Sequence, residues 1–124
     1  MKYSYIYYSH KNYLCVSLSG VCTYEEGITI MEDIIHKCVD NNISKVLFDC
    51  YHLEKIFSSA EAEKFIEFIK EKLPPSITVA IVERFPAVFK DEHPASHISI
   101  FSDHTPALAW LLGKNQPGGS SALK

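Results

Sequence analysis

Two capping boxes constrain this chain more than any other feature. Thr23 stands three residues ahead of Glu26, and Ser58 three residues ahead of Glu61. At that spacing each side chain can satisfy a backbone donor left free at a helix start. After the first box, Ile28, Met31, Ile34, Ile35, Cys38 and Val39 recur at three- and four-residue steps to about Asp40, where Asn41-Asn42 break the pattern. After the second, Ala62, Phe65, Ile66, Ile69 and Leu73 form a similar stripe, stopped by Pro74-Pro75. The spacing predicts two amphipathic helices, each with one face to bury.

The segments around these stripes supply the burying surface. Lys45 to Tyr51 contains Val46-Leu47-Phe48, Ile77 to Val82 is a second such run, and Ile98 to Phe101 a shorter third. Continuous apolar runs of this length suit strands covered on both faces. Upstream, Lys2 to His10 and Tyr13 to Gly20 are β-branched, aromatic or alternating, and Lys11-Asn12 predicts a two-residue hairpin turn between them. Leu14, Val16 and Leu18 should face the core. Tyr3, Tyr5, Tyr7, Tyr13 and Cys15 are expected on the opposite face, as a contact surface or as a second buried side. Near the end, Thr105 as cap, Pro106 in the first turn, Leu108, Leu111 and Leu112 on one side and Gly113 as a stop predict a last short helix.

Strands alternating with helices make this an α/β chain: a single domain in which an N-terminal antiparallel hairpin leads into a mainly parallel sheet of about five strands, with three to four helices. At 124 residues one core suffices. The domain is expected over residues 1–113. Residues 114–124, rich in Gly, Ser and Pro, have little to bury and read as a flexible tail.

Charge narrows the partners. The net charge is −3 and the twelve Lys and Arg are dispersed, which argues against nucleic acid, whose affinity comes from clustered cations. No run approaches the roughly 20 apolar residues of a transmembrane helix, and Met1 to Ser9 lacks the apolar core of a signal peptide. The four cysteines sit in apolar stretches without a Cys-x-x-Cys pair, as expected of reduced thiols in a cytoplasmic protein. The glycines form neither a P-loop nor a dinucleotide fingerprint, so no cofactor is expected.

The element order, the passage Gly20 to Glu26 from second strand into first helix, and Ala107-Leu108-Ala109-Trp110-Leu111 together resemble the STAS-like superfamily, the bacterial relatives of anti-sigma-factor antagonists, over Tyr3 to about Gly113. The resemblance implies a non-catalytic, regulatory protein-interaction module that meets a protein partner or a second copy. In the antagonist branch, a partner kinase phosphorylates an Asp-Ser-Ser-Gly segment between third strand and second helix. Here the matching place reads Phe57-Ser58-Ser59-Ala60. Both serines match, the flanking Asp and Gly do not, and Ser58 and Ser59 become the candidates for partner contact or phosphorylation. A second branch, similar to CRAL-TRIO modules, implies instead a carrier of a small apolar ligand or lipid, for which Phe85, Val88 and Phe89 would form the gate.

Each candidate has a plainer account. Ser58 as an N-cap explains both the serine and Glu61. His93 and His97, with Asp91, Glu92, Asp103 and His104 nearby, are of metal-ligand type. Pro94 interrupts that pair, the Glu of a His-Glu-x-x-His motif is missing, and solvated histidines are the expectation. Asp49, Cys50 and His52 fall near the C-terminal end of a parallel strand, where α/β proteins bind ligands. Asp49 and Cys50 must point to opposite faces, and Cys50 beside Phe48 reads as a small packed residue. No residue set compels catalysis or a metal.

Overall fold

The computed structural model describes residues 2–55, 57–84 and 94–113. They form an α/β unit in the order β1 (Lys2–Tyr8), β2 (Tyr13–Val21), α1 (Tyr24–Asn41), β3 (Lys45–Lys55), α2 (Ser59–Lys72), β4 (Thr78–Val82), β5 (Ile98–Phe101) and α3 (His104–Gly113). The five strands make one sheet in the order β1-β2-β3-β4-β5. β1 runs antiparallel to β2, and every later neighbour is parallel. The fold class expected from the sequence is therefore the one observed.

Side-chain alternation divides the core in two. Leu14, Val16, Val46, Phe48, Val79, Ile81, Ile98 and Ile100 meet α1 and α2 on one face, where Met31, Ile34 and Ile69 are at most 1% exposed. Tyr13, Leu47, Ala80 and Val82 point the other way and meet Ala107 and Leu111 of α3. Each aliphatic side chain fully removed from water contributes about 1.5–3 kcal/mol. The two-sided burial explains why β4 is buried at every residue while β1, at the sheet edge, is exposed at every residue.

Both capping boxes form. Thr23 Oγ1 accepts from Glu26 N at 3.1 Å while Thr23 N donates to Glu26 Oε1 at 2.9 Å. α1 ends at Asn42, whose left-handed backbone (φ 56°) lets the chain turn out of the helix. α2 ends before Pro74-Pro75, as expected.

Three local expectations need correction. The hairpin turn is not Lys11-Asn12 alone: the last pair is Tyr8 with Tyr13, leaving a four-residue loop, Ser9 to Asn12, closed by Asn12 at φ 62°. Tyr3, Tyr5 and Tyr7 do not oppose the core-facing residues. They pair with Leu18, Val16 and Leu14 and so share their face. A loop with an even number of residues places odd positions of one strand beside even positions of the next, and directly paired residues project to the same side. Tyr13 and Cys15 do lie on the other face. Finally, α3 begins at His104, one residue before the expected cap, so Thr105 and Pro106 lie within its first turn.

Candidate functional site

The start of α2 is built by its own sequence. Ser58 N donates to Glu61 Oε1 at 3.1 Å, and Glu61 N donates to Ser58 Oγ at 3.2 Å. Ser58 and Ser59 are both exposed. Just before them, Phe57 turns inward, packing against Phe65 at 5.1 Å and Tyr24 at 5.8 Å between ring centroids. The turn between β3 and α2 is thus pinned by an aromatic contact to α1 while its serines stay accessible.

Beneath that turn lies an apolar cavity of about 50 Å³ between the sheet and the two helices, lined among others by Gly27, Met31, Cys50, Phe57, Phe65 and Glu83. Its volume suits one small group, far below the several hundred Å³ of a ligand pocket for a lipid or drug-sized molecule. Phe85, Val88 and Phe89, the expected gate, lie outside the described residues.

Cys50 points into this cavity, while His52 lines a groove on the opposite side with Tyr51, Asp103, His104, Thr105 and Pro106. The structure therefore does not bring the thiol and imidazole together. Burial, with the Glu83 carboxylate next in effect, raises the Cys50 thiol well above its ordinary value. Cys22 is pushed up to about 11 by burial and then by Glu26, and Cys38 to about 11 by burial. These thiols are protonated at neutral pH, the state opposite to that of an activated nucleophile.

The histidine group also separates. His97 precedes β5, whereas Asp103 and His104 follow it, so a whole strand lies between them. His93, Asp91 and Glu92 are outside the described residues. No cluster of three metal-ligand side chains occurs among the described residues.

Two features were not legible in the sequence. Asp49, almost buried, meets His104 Nε2 through Oδ2 at 3.1 Å, and its Oδ1 accepts from Tyr51 N at 3.1 Å. This pair joins the middle of β3 to the start of α3. An Asp-held imidazole is part of a general-base arrangement, but among the described residues the only aliphatic hydroxyl lining this groove is that of Thr105. Glu83, 5% exposed, is a buried carboxylate at the end of β4. Its only sequence signal was its place directly after a buried strand, the end of an α/β sheet where polar groups gather.

The remaining feature is the β1 edge. Five of the eight large hydrophobic side chains exposed among the described residues, Tyr3, Tyr5, Ile6, Tyr7 and Tyr8, belong to this one strand. Three of them are held in place. Tyr3 OH donates to Asp33 Oδ2 at 3.0 Å, Lys37 Nζ lies 5.1 Å from the centre of the Tyr5 ring, and Tyr7 OH donates to Asn12 Oδ1. Lys37 is itself paired with Asp33 at 3.4 Å. Tyr5 and Tyr7 form, with Lys37, Asn41 and Ile43, the wall of an open groove between β1 and α1. Among the described residues, no helix is long and apolar enough to cross a membrane. No protein-family model matches the chain, and no curated protein matches it.

Proposed function

We propose that this protein is a non-catalytic protein-interaction module. The observation that carries the reading is the concentration of exposed large hydrophobic side chains on β1, a strand whose outer edge has no neighbour in the sheet order among the described residues. Contiguous apolar surface beside unpaired strand edges is a recurrent mark of protein contact. Aromatic rings already fixed by polar partners lose little freedom when they bind. The dispersal of Cys50 and His52 to different faces, and the raised thiols, favour binding over covalent chemistry.

Regulation enters this reading at Ser58 and Ser59. Both hydroxyls are exposed at the start of α2, where a phosphate would meet the positive end of the helix dipole. That placement supports the proposed kinship with anti-sigma-factor antagonists, and the four free cysteines support a cytoplasmic setting in which thiols stay reduced.

The test is cross-linking followed by affinity capture from the cells that make the protein, comparing wild type with Tyr5→Lys and with Ser58→Ala/Ser59→Ala. A protein, or a second copy, retained by wild type and lost from Tyr5→Lys supports the reading. Identical captures from wild type and Tyr5→Lys, with both variants folded, would remove β1 as the contact surface.

A further inference from the structure

We infer that the occupant of the β1 edge is a second copy of this chain, paired antiparallel along β1 about a two-fold axis at Tyr5, so that two five-stranded sheets join into one. This rests on the proposed interaction module and names its partner.

The strand is complementary to itself. With Tyr5 on the axis, the β1 residues (Lys2–Tyr8) match those of the other copy in full. Tyr5 faces Tyr5, Tyr3 faces Tyr7, Ser4 faces Ile6 and Lys2 faces Tyr8. Lys2 is the strand's single charge, so no like charges meet, and it lies opposite an aromatic ring, a favourable cation neighbour. Directly opposed aromatic pairs contribute to sheet pairing, whereas opposed like charges oppose it. Apart from Lys2 at its first residue, nothing on the strand is of the kind that protects a free edge. β1 contains no proline, and its ladder with β2 runs from Lys2 to Tyr8 without a register break. Natural sheets commonly protect free edges with prolines, bulges or inward charges. The tyrosines are also prepared for the contact, since Asp33, Lys37 and Asn12 hold them.

Interface size sets the expected strength. Seven residues at about 3.3 Å each give an edge of roughly 23 Å, and with side chains above and below the sheet this buries on the order of 900 Å² in total. Stable specific interfaces begin near about 1,200 Å². An interface of that size falls among the weak, reversible contacts.

Sedimentation of the purified full chain between about 1 and 500 µM tests this directly. The expected result is a rise from monomer to dimer mass across that range, shifted at least tenfold to higher concentration by Tyr5→Lys, which sets two ammonium groups face to face. Tyr5→Cys provides a second measurement that does not depend on the lysine variant folding. Under mild oxidation it should give a reducible covalent dimer, because residues on the axis face each other closely. Lys2→Cys, three residues off the axis, should give none beyond the wild-type background. A chain that stays monomeric throughout, or equal cross-linking of Tyr5→Cys and Lys2→Cys, overturns the inference. If the monomer still captures another protein that Tyr5→Lys loses, only the second copy is excluded. If neither occurs, the interaction reading falls with it.

Discussion

Asp49 and His104 meet at 3.1 Å although 55 residues separate them in sequence, one side chain almost buried and the other half exposed (10% and 51%). The carboxylate also accepts the Tyr51 N–H, so it serves two donors, and the imidazole serves one acceptor. This asymmetry makes the two ends of the pair unequal in energy. Asp49→Ala leaves the Tyr51 donor and the imidazole without their partner and should cost about 1–3 kcal/mol in urea unfolding. His104→Ala, at an exposed position, should cost no more than about 1 kcal/mol. Equal losses from the two substitutions would show that the pair acts as a unit instead.

A second prediction separates the structural role of Ser58 from any signalling role. Ser58→Ala removes the N-cap acceptor and half of the capping box and should lower stability by about 1 kcal/mol. Ser59→Ala touches no cap and should stay within about 0.5 kcal/mol of wild type. Ser58→Asp keeps an oxygen acceptor and adds charge at the favourable end of the helix, so its melting temperature should match wild type. A phosphate-mimicking variant that folds normally but changes partner capture places the effect on binding. A Ser58→Asp variant as unstable as Ser58→Ala contradicts the account of the cap.

How much of this was legible beforehand depends on distance along the chain. The two helices were readable because a capping box and an apolar stripe are local, confined to Thr23–Asn41 and Ser58–Leu73. The parallel strands were readable because burial on both faces leaves continuous runs such as Val46-Leu47-Phe48. The tyrosine face was misassigned because alternation within one strand says nothing about its neighbour until the loop length and register are known. The Asp49–His104 pair left no sequence signal at all. Its geometry arises only when α3 folds back over β3, and in the sequence the two residues fall into separate groups, Asp49 with Cys50 and His52, and His104 with the other histidines. Asp33 and Lys37 show the intermediate case: their spacing on α1 is visible as a helical ion pair, but their hold on Tyr3 and Tyr5 requires β1 to lie alongside.

Gly27 provides a third prediction, about the space below the α2 start. It lies buried in α1, where glycine costs about 1 kcal/mol relative to alanine. A methyl group there would stand 3.0 Å from Phe57 Cζ and 3.4 Å from Phe65 Cε1. Both rings border the cavity of about 50 Å³, so Phe57 has room to yield by the few tenths of an ångström required. Gly27→Ala should therefore stabilise the fold by about 0.5–1 kcal/mol, measured by denaturant unfolding. A loss above about 1 kcal/mol would show that Phe57 is held rigidly against α1, and that the cavity is not free to absorb its movement.

The raised thiols give the last prediction, an alkaline limit to stability. Cys22 and Cys38 are pushed up to about 11 in the folded chain, and Cys50 is raised by burial and then by Glu83, whereas an unfolded thiol titrates at about 8.5. Between those limits the unfolded chain has lost protons that the folded chain retains. Unfolding free energy then falls as pH rises, with the full contribution present below about pH 8.5 and most of it lost by about pH 11. Lys45, lowered by burial, acts in the opposite sense, but it is one group against four thiols, since burial raises Cys15 as well. Urea unfolding at steps from pH 7.5 to 11 should thus show a progressive loss, and Cys38→Ala should flatten it while lowering stability at neutral pH through the small void it leaves. A stability that holds level or rises across this range would mean that the thiols ionise without disturbing the core, and that their burial is looser than the packing of Cys38 on the buried face of α1 implies.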